Sequence, residues 1–341
     1  MFNSKIILIT GGTGSFGSAC VKYLLKNYKP KKVIVFSRDE LKQYEMLNNL
    51  LDIGIDKDKI RFFLGDVRDK SRLKLAFQNV DFIIHAAALK QIPAAEYNPQ
   101  ECIKTNINGA ENVILSALES GVKKVIALST DKACNPINLY GATKLASDKL
   151  FVSANSLSSK KGTRFSVVRY GNVVDSRGSV IPLFKKLISQ NKKSLPITDE
   201  NMTRFFINLN DGVKFVLNSF ARMHGGEIFV PKLPSVYIRD IVKALNPKLK
   251  YHIIGIRPGE KLHEVLCTKE ESRLTIEFDR HYVIQPTIWS QNADKGTNLN
   301  IYMTDKTKSK GKKVKKDFEY NSLINKNFLN ISQARKILGK I

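Results

Sequence analysis

Residues 6–17 read IILITGGTGSFG, and how that stretch is read decides the fold. Apolar residues run into Thr10, and glycines at 11, 14 and 17 follow with the spacing GxxGxxG. A strand ending in a tight glycine turn that leads straight into a helix brings backbone close to a ligand. The helix N-terminus adds free N–H donors and a partial positive charge, which suits a pyrophosphate. Gly11, Thr13, Gly14, Ser15, Phe16 and Gly17 are therefore the candidate dinucleotide cradle. A glycine pattern alone is weak evidence, because a turn can be purely structural; opening a strand–helix–strand unit makes it specific.

The chain downstream supplies that unit. Strand-like runs at 5–10, 32–36, 60–64, 82–85, 125–128 and 164–169 alternate with helical stretches, among them 15–28 and 39–51. Near-continuous Val/Ile/Leu runs between helices indicate a parallel sheet covered on both faces. The expected fold is α/β: a Rossmann-type doubly wound sheet over residues 1–172, then a smaller mixed α/β substrate-binding lobe over 173–290. Later segments could return to the first lobe. Residues 291–341 form a basic segment with a weak helix at 332–338.

The tip of the second strand reads Phe36-Ser37-Arg38-Asp39, with Lys42 a turn further on. Ser37 and Arg38 suit a ribose 2′-phosphate through charge-assisted hydrogen bonds, which favours NADP over NAD. Ser37 to Glu40 also reads as a capping box with Ser37 as N-cap, and the two readings are compatible. Asp66 and Val67 after the third strand, and Ala86, Ala87 and Ala88 after the fourth, complete the candidate cofactor contacts.

The sequence carries 56 basic and 31 acidic residues, a net charge of +25. Lysine is dispersed along the chain and densest at 306–316 (KTKSKGKKVKK), so the expectation is an anionic small substrate and a solvated basic loop, with no nucleic-acid role. No apolar run reaches the roughly 18–20 residues that span a bilayer. The N-terminus reads as a first strand and not as a signal peptide. Cys20, Cys102, Cys134 and Cys267 form no CxxC pair, which indicates a reducing, cytoplasmic setting and no zinc knuckle. His263-Glu264 has Cys267 where a zincin needs its second histidine, so no metal site is expected.

The second decisive stretch is 127–144, ALSTDKACNPINLYGATK. Tyr140 and Lys144, at i and i+4, share a helix face. A nearby cation makes a tyrosine near pKa 10 a usable base, and Lys144 would also hold the nicotinamide ribose. Asp131-Lys132 alone would be an exposed turn with a weak ion pair.

Taken together these motifs resemble the extended short-chain dehydrogenase/reductases. Within them the chain resembles the inverting UDP-N-acetylglucosamine 4,6-dehydratases. The resemblance runs through SRDELKQ, RFFLGDVRD, HAAALK, AEYNPQECIKTN, SVVRYGNVV, MTRF, MHGGEIFVPK, IGIRPGEKLHEV and DFEYNS, most of the chain. It implies hydride transfer from C4 to NADP+, elimination of water across C5 and C6, and return of hydride to C6. The cofactor, tightly bound, is regenerated each turnover. Tyr140 takes the O4 proton, Thr130 hydrogen-bonds O4, Asp131 is the general acid and Lys132 the base, which needs a depressed pKa. The resemblance also implies Lys90 and Asn172 as substrate contacts, with Val180, and Arg204, Arg257 and Glu260 around the uridine diphosphate. Lys90 counts among the cofactor contacts as well. It further implies a homo-oligomer, dimer or hexamer, and a first step of pseudaminic acid synthesis for flagellin glycans.

Two departures stand out: Asp175 where the family usually has glycine, with Arg177 as its available partner, and Gln91 where it usually has histidine. A UDP-sugar C4-epimerase or a C5-retaining dehydratase is the competing enzyme reading. An epimerase gains nothing from Asp131, and retaining enzymes use an Asp-Glu pair where this chain has Asp-Lys. An NADP-sensing or nucleic-acid-binding protein is the competing non-enzyme reading.

Overall fold

The computed structural model describes residues 1–159, 162–174, 176, 178–287 and 299–338. Asp175 and Arg177 lie outside the described residues. The first lobe alternates as the sequence indicates: β1 (Ile6–Thr10), α1 (Ser15–Asn27), β2 (Lys32–Ser37), α2 (Glu40–Leu51), β3 (Ile60–Leu64), α3 (Lys70–Ala76) and β4 (Phe82–His85). Short α4 (Ile92–Tyr97) and α5 (Pro99–Ile103) lead through a π-turn at Lys104–Asn108 into α6 (Gly109–Glu119). Then come β5 (Lys124–Thr130), α7 (Leu139–Ser153) and β6 (Arg164–Tyr170).

These six strands are parallel and lie in the order β3-β2-β1-β4-β5-β6, the Rossmann order, which puts every carboxyl end on one edge. Apart from Ile6 and Phe62, their Val, Ile and Phe side chains are almost fully buried between the helical layers, the continuous apolar pattern a doubly covered sheet requires. β5 and β6 pair over a seven-residue register that ends with Thr130 opposite Tyr170. Two glycines set helix positions. A Cβ on Gly17 would sit 2.5 Å from Gly12 Cα, so α1 can lie against the glycine turn only without one. A Cβ on Gly141 would sit 2.2 Å from the Lys132 carbonyl oxygen, so Gly141 lets α7 start against the turn after β5.

The remaining chain supplies β7 (Asn172–Val173), α8 (Val180–Ser189), β8 (Ser194–Ile197), β9 (Thr203–Ile207), α9 (Leu209–Arg222), β10 (Ile228–Pro231), β11 (Ser235–Tyr237), α10 (Ile238–Leu245) and β12 (Lys250–Ile253). It continues with β13 (Val265–Cys267), β14 (Thr275–Glu277), β15 (His281–Ile284), β16 (Lys312–Lys313), β17 (Tyr320–Asn321) and α11 (Ile331–Leu338). A second apolar core around Ile181, Phe184, Leu195, Phe206 and Val242 holds the small β11-β9-β7 and β12-β8 sheets with their helices. β10 returns to pair in parallel with β6, and β15, β14 and β16 extend the large sheet antiparallel beyond it.

Two local readings need correcting. β2 runs one residue further than expected and takes Ser37, whose hydroxyl accepts from Gln43 Nε2 at 2.9 Å. Asp39 is the cap of α2 instead, accepting from the Lys42 N–H at 3.0 Å. The basic stretch at 306–316 contributes the edge strand β16, whose two lysines keep their side chains exposed. Charged lysines on an edge strand deter pairing with other chains.

Candidate active site

Two clefts meet over the carboxyl ends of the parallel strands. One, of about 550 Å³, is lined by Gly11, Thr13 and Gly14, by Ser37, Arg38, Asp39 and Lys42, and by Asp66, Val67, Ala86, Ala87 and Ala88. The other, of about 620 Å³, shares Gly14 and Ala86 to Ala88 and adds Ser15, Phe16, Lys90, Thr130, Asp131, Lys132, Tyr140 and Lys144. Asn172, Val180, Arg204, Arg257 and Glu260 line it as well. Of the expected site residues, Gly17 alone lines neither cleft and serves helix packing.

The first cleft fits a dinucleotide. Gly11, at φ +66°, lies so close to the β4 loop that a Cβ would stand 2.8 Å from Ala87 N. A Cβ on Gly14 would meet the Gly11 carbonyl oxygen at 3.1 Å. Gly14 also caps α1 and has no side chain of its own to take up the helix's first N–H donors. Arg38 and Lys42 bring positive charge to the tip of β2, where they pair with Asp66 (3.4 Å) and Asp39. Burial alone would raise the Asp66 carboxyl. Hydrogen bonds from Arg68 and the charge of Arg38 outweigh it and hold it below the usual range.

Asn106 was not anticipated individually. Within the π-turn its amide accepts from Leu89 N at 2.8 Å and donates to Leu89 O at 2.9 Å and to Thr143 Oγ1 at 3.0 Å. It thereby ties the loop that carries Lys90 to α7. Its only sequence signal was its place inside AEYNPQECIKTN.

The second cleft is built on β5 and α7. Asn138 caps α7, accepting from Gly141 N and donating to Gly259 O, both at 2.7 Å, which fastens the helix start to the second lobe. Behind the cleft, Asp148 accepts from Ser129 Oγ at 2.8 Å and lies 3.4 Å from Arg169 Nη2. Arg169, fully buried, reaches across to Glu271 at 3.0 Å. Burial lowers the Lys144 ammonium, with Asp148 opposing. Burial pushes the Tyr140 phenol up to about 12. The Lys132 charge opposes that rise, and a hydrogen bond with Thr130 acts in the same direction.

Asp131 opens a short 3₁₀ turn (Asp131–Ala133) at the end of β5 and is fully buried. Its Oδ1 accepts from Thr130 Oγ1 at 2.9 Å and from Lys132 Nζ at 3.0 Å. Lys132 Nζ donates equally to Glu264 Oε1, at 3.1 Å. The expected depression of the Lys132 pKa is therefore contradicted. Burial alone would lower it, but the carboxylates of Asp131 and Glu264 outweigh burial and raise it, so the lysine is an ammonium here.

Glu264, in contact with Lys132 and close to Arg204, is a second residue that the sequence did not single out. Set against a zincin motif it looked idle, and nothing in the linear sequence places it beside Lys132. Its backbone is fixed by Ser322, from the DFEYNS segment: Glu264 N donates to Ser322 Oγ at 2.9 Å and Ser322 N donates to Glu264 O at 2.8 Å.

Arg204 lines the cleft, but its guanidinium donates to the carbonyls of Thr203 (2.8 Å), Lys261 (2.8 Å) and Leu262 (3.1 Å). It stands 3.6 Å from Glu264 and 3.7 Å from Glu260. Arg257, largely exposed at the rim, donates to both Glu260 oxygens at 3.0 Å. The Gln91 amide lies against Gly178, where an added Cβ would meet it at 2.4 Å. The described residues hold no cluster of metal-ligating side chains, and none of their helices is long and apolar enough to cross a membrane.

Residues 7–286 match the family described as Polysaccharide biosynthesis protein. The inverting UDP-N-acetylglucosamine 4,6-dehydratase of Campylobacter jejuni is 61% identical over 322 residues, 94% of this chain and 93% of that protein. A UDP-glucose 4-epimerase of Rickettsia bellii is 46% identical over 291 residues, 83% of this chain and 84% of that one. The crystal structure of Pen from Bacillus thuringiensis superposes with a TM-score of 0.85 at 34% identity, covering 99% of this chain and 98% of that one. The chain thus belongs to the polysaccharide biosynthesis protein family, as a relative of the inverting UDP-N-acetylglucosamine 4,6-dehydratases.

Proposed function

We propose that this protein is a C5-inverting UDP-N-acetylglucosamine 4,6-dehydratase that works with NADP and opens the pseudaminic acid route. The observation that carries the reading is the Asp131–Lys132 pair, held 3.0 Å apart in the same cleft as Tyr140 and Lys144. Tyrosine and lysine suffice to move a hydride. An adjacent acid and base are what an elimination requires in addition.

Bound NADP+ would supply the hydride acceptor for C4 and a positive charge beside Tyr140 that favours its phenolate. Tyr140 takes the O4 proton, and Thr130 orients O4. The C4 ketone acidifies the C5 proton. Lys132 can act as base once its ammonium proton passes to Asp131 along the 3.0 Å contact. The neutral amine then takes the C5 proton, while protonated Asp131 delivers its proton to the leaving C6 oxygen and water departs. The pair returns to ammonium and carboxylate, so protons balance without an outside donor. With C6 taking back the hydride, a proton drawn from solvent onto the opposite face of C5, offset by the O4 proton that Tyr140 gives up, would give the inverted 4-keto-6-deoxy sugar. Lys90, Asn172 and Val180 line this cleft and would contact the sugar and nucleotide, with Arg257 and Glu260 reaching the diphosphate. The rival C4-epimerase reading draws on the Rickettsia resemblance but leaves Asp131 without a task.

The test is incubation of purified protein with UDP-N-acetylglucosamine, following the sugar by mass and proton NMR. Loss of one water with a new C6 methyl is expected. A product of unchanged mass would favour epimerisation.

A further inference from the structure

Lys132 faces more negative charge than its own balance requires. Asp131 already neutralises it, yet Glu264 Oε1 stands as close on its other side, with both carboxyl side chains almost wholly buried. The same Glu264 oxygen lies 3.6 Å from Arg204 Nε, while Oε2 is buried without a hydrogen-bond partner. Ser322 fixes the Glu264 backbone on both sides, so any shift of Glu264 between its two cations has to come from the carboxylate. A buried acceptor with nothing to accept from is costly and marks a group that is not fully spent on stability.

We propose that Glu264 is a positioning residue for the elimination: a carboxylate shared between Lys132 and Arg204 whose shift from the lysine to the arginine frees Lys132 to act as a base. This rests on the dehydratase reading above. When Glu264 pairs with Lys132, the ammonium is held and aimed at Asp131. When it pairs with Arg204, one of the two carboxylates opposing deprotonation is withdrawn, and the Lys132 proton crosses to Asp131. The step transfers a single proton between groups already in contact and consumes no other reactant. Among the described residues, the charged and titratable groups facing Lys132 are Asp131 on its own turn, Glu264 before β13, Arg204 on β9, Lys90 after β4 and Tyr140 on α7. Of these, only Glu264 stands in reach of two cations while holding neither through a neighbouring backbone position.

The experiment measures two half-reactions against pH in single turnover: C4 oxidation by the absorbance of reduced nicotinamide, and elimination by water loss in the sugar mass. Glu264→Gln is expected to move the half-point of elimination to lower pH by on the order of one unit, because one neighbouring negative charge is gone. C4 oxidation should keep its wild-type profile, and Glu264→Asp should restore the wild-type half-point. Arg204→Lys, which lacks the Nε reaching Glu264, should move the half-point the opposite way. An unmoved half-point in Glu264→Gln, or in Arg204→Lys should the first variant fail to fold, overturns the proposal. So does a parallel loss of oxidation and elimination, which is the mark of a merely structural residue. A wild-type enzyme that releases no water from UDP-N-acetylglucosamine removes the dehydratase reading, and this proposal falls with it.

Discussion

The two clefts are assembled in opposite ways. Apart from Thr105 in the π-turn, the dinucleotide cleft is drawn from residues 11–88, at or a few positions past the ends of β1, β2, β3 and β4. The charge cluster of the second cleft joins Asp131 and Lys132 after β5, Arg204 on β9 and Glu264 before β13, with Ser322 holding the last in place. The first therefore depends on backbone shape and small side chains, and the second on charge balance across distant segments. Substitutions should separate them: those in the first act on affinity and folding, those in the second on chemical steps.

The largest expected effect is at Tyr140. Tyr140→Phe should reduce C4 oxidation by about 10³-fold, within the usual range for removing a general base, and should leave substrate affinity nearly intact. Next is Asp131→Asn, which keeps the shape and removes the acid. Elimination should fall by roughly 10²- to 10⁴-fold while the reduced nicotinamide still forms. If oxidation and elimination fell together, the separation of the two steps would be wrong.

Substitutions in the dinucleotide cleft should show in stability and affinity. Gly17→Ala places a methyl 2.5 Å from Gly12 Cα, and an overpacking cost of about 1–3 kcal/mol should appear as a lower Tm. Arg38→Ala should weaken NADP binding by about tenfold and leave NAD binding unchanged, since one charge-assisted contact to a phosphate is worth about 1.5–3 kcal/mol before its pairing with Asp66 is subtracted. Equal weakening of both cofactors would remove the argument for a 2′-phosphate site.

A pH effect belongs to the large sheet, which carries His85 on β4 and His281 on β15. Burial, with the Lys144 charge adding to it, pushes the His85 imidazole down to about 3, and burial with Arg222 does the same for His281. A histidine whose folded pKa is depressed takes its proton more readily in the unfolded chain. Stability is therefore full above about pH 6.5 and falls as pH drops toward 3. Urea unfolding at pH 7.5 and pH 5 should differ by about 2 kcal/mol for each of these two histidines.

What could be read in the sequence follows the same division. Strand–helix alternation over 1–172 was legible because each parallel strand is a short apolar run closed by a polar or glycine turn. The Tyr140–Lys144 pair was legible because both sit on one helix. The cap of α2 was misread because Ser37-Arg38-Asp39 offers two capping side chains, and only the pairing of Ser37 with Leu64 in the sheet decides between them. Glu264 was not legible, because its role exists only where β13 pairs with β17 and brings a carboxylate to a lysine 132 positions away. The expected depression of the Lys132 pKa failed for the same reason: the second carboxylate was not in view.

One reaction tests the central claim most directly. Wild-type protein with UDP-N-acetylglucosamine in D2O, followed by NMR, should give a sugar that has lost water and carries a new C6 methyl. It should also hold deuterium at C5 with inverted configuration there. A sugar of unchanged skeleton epimerised at C4, or a dehydrated product that retains the C5 configuration, would contradict the account.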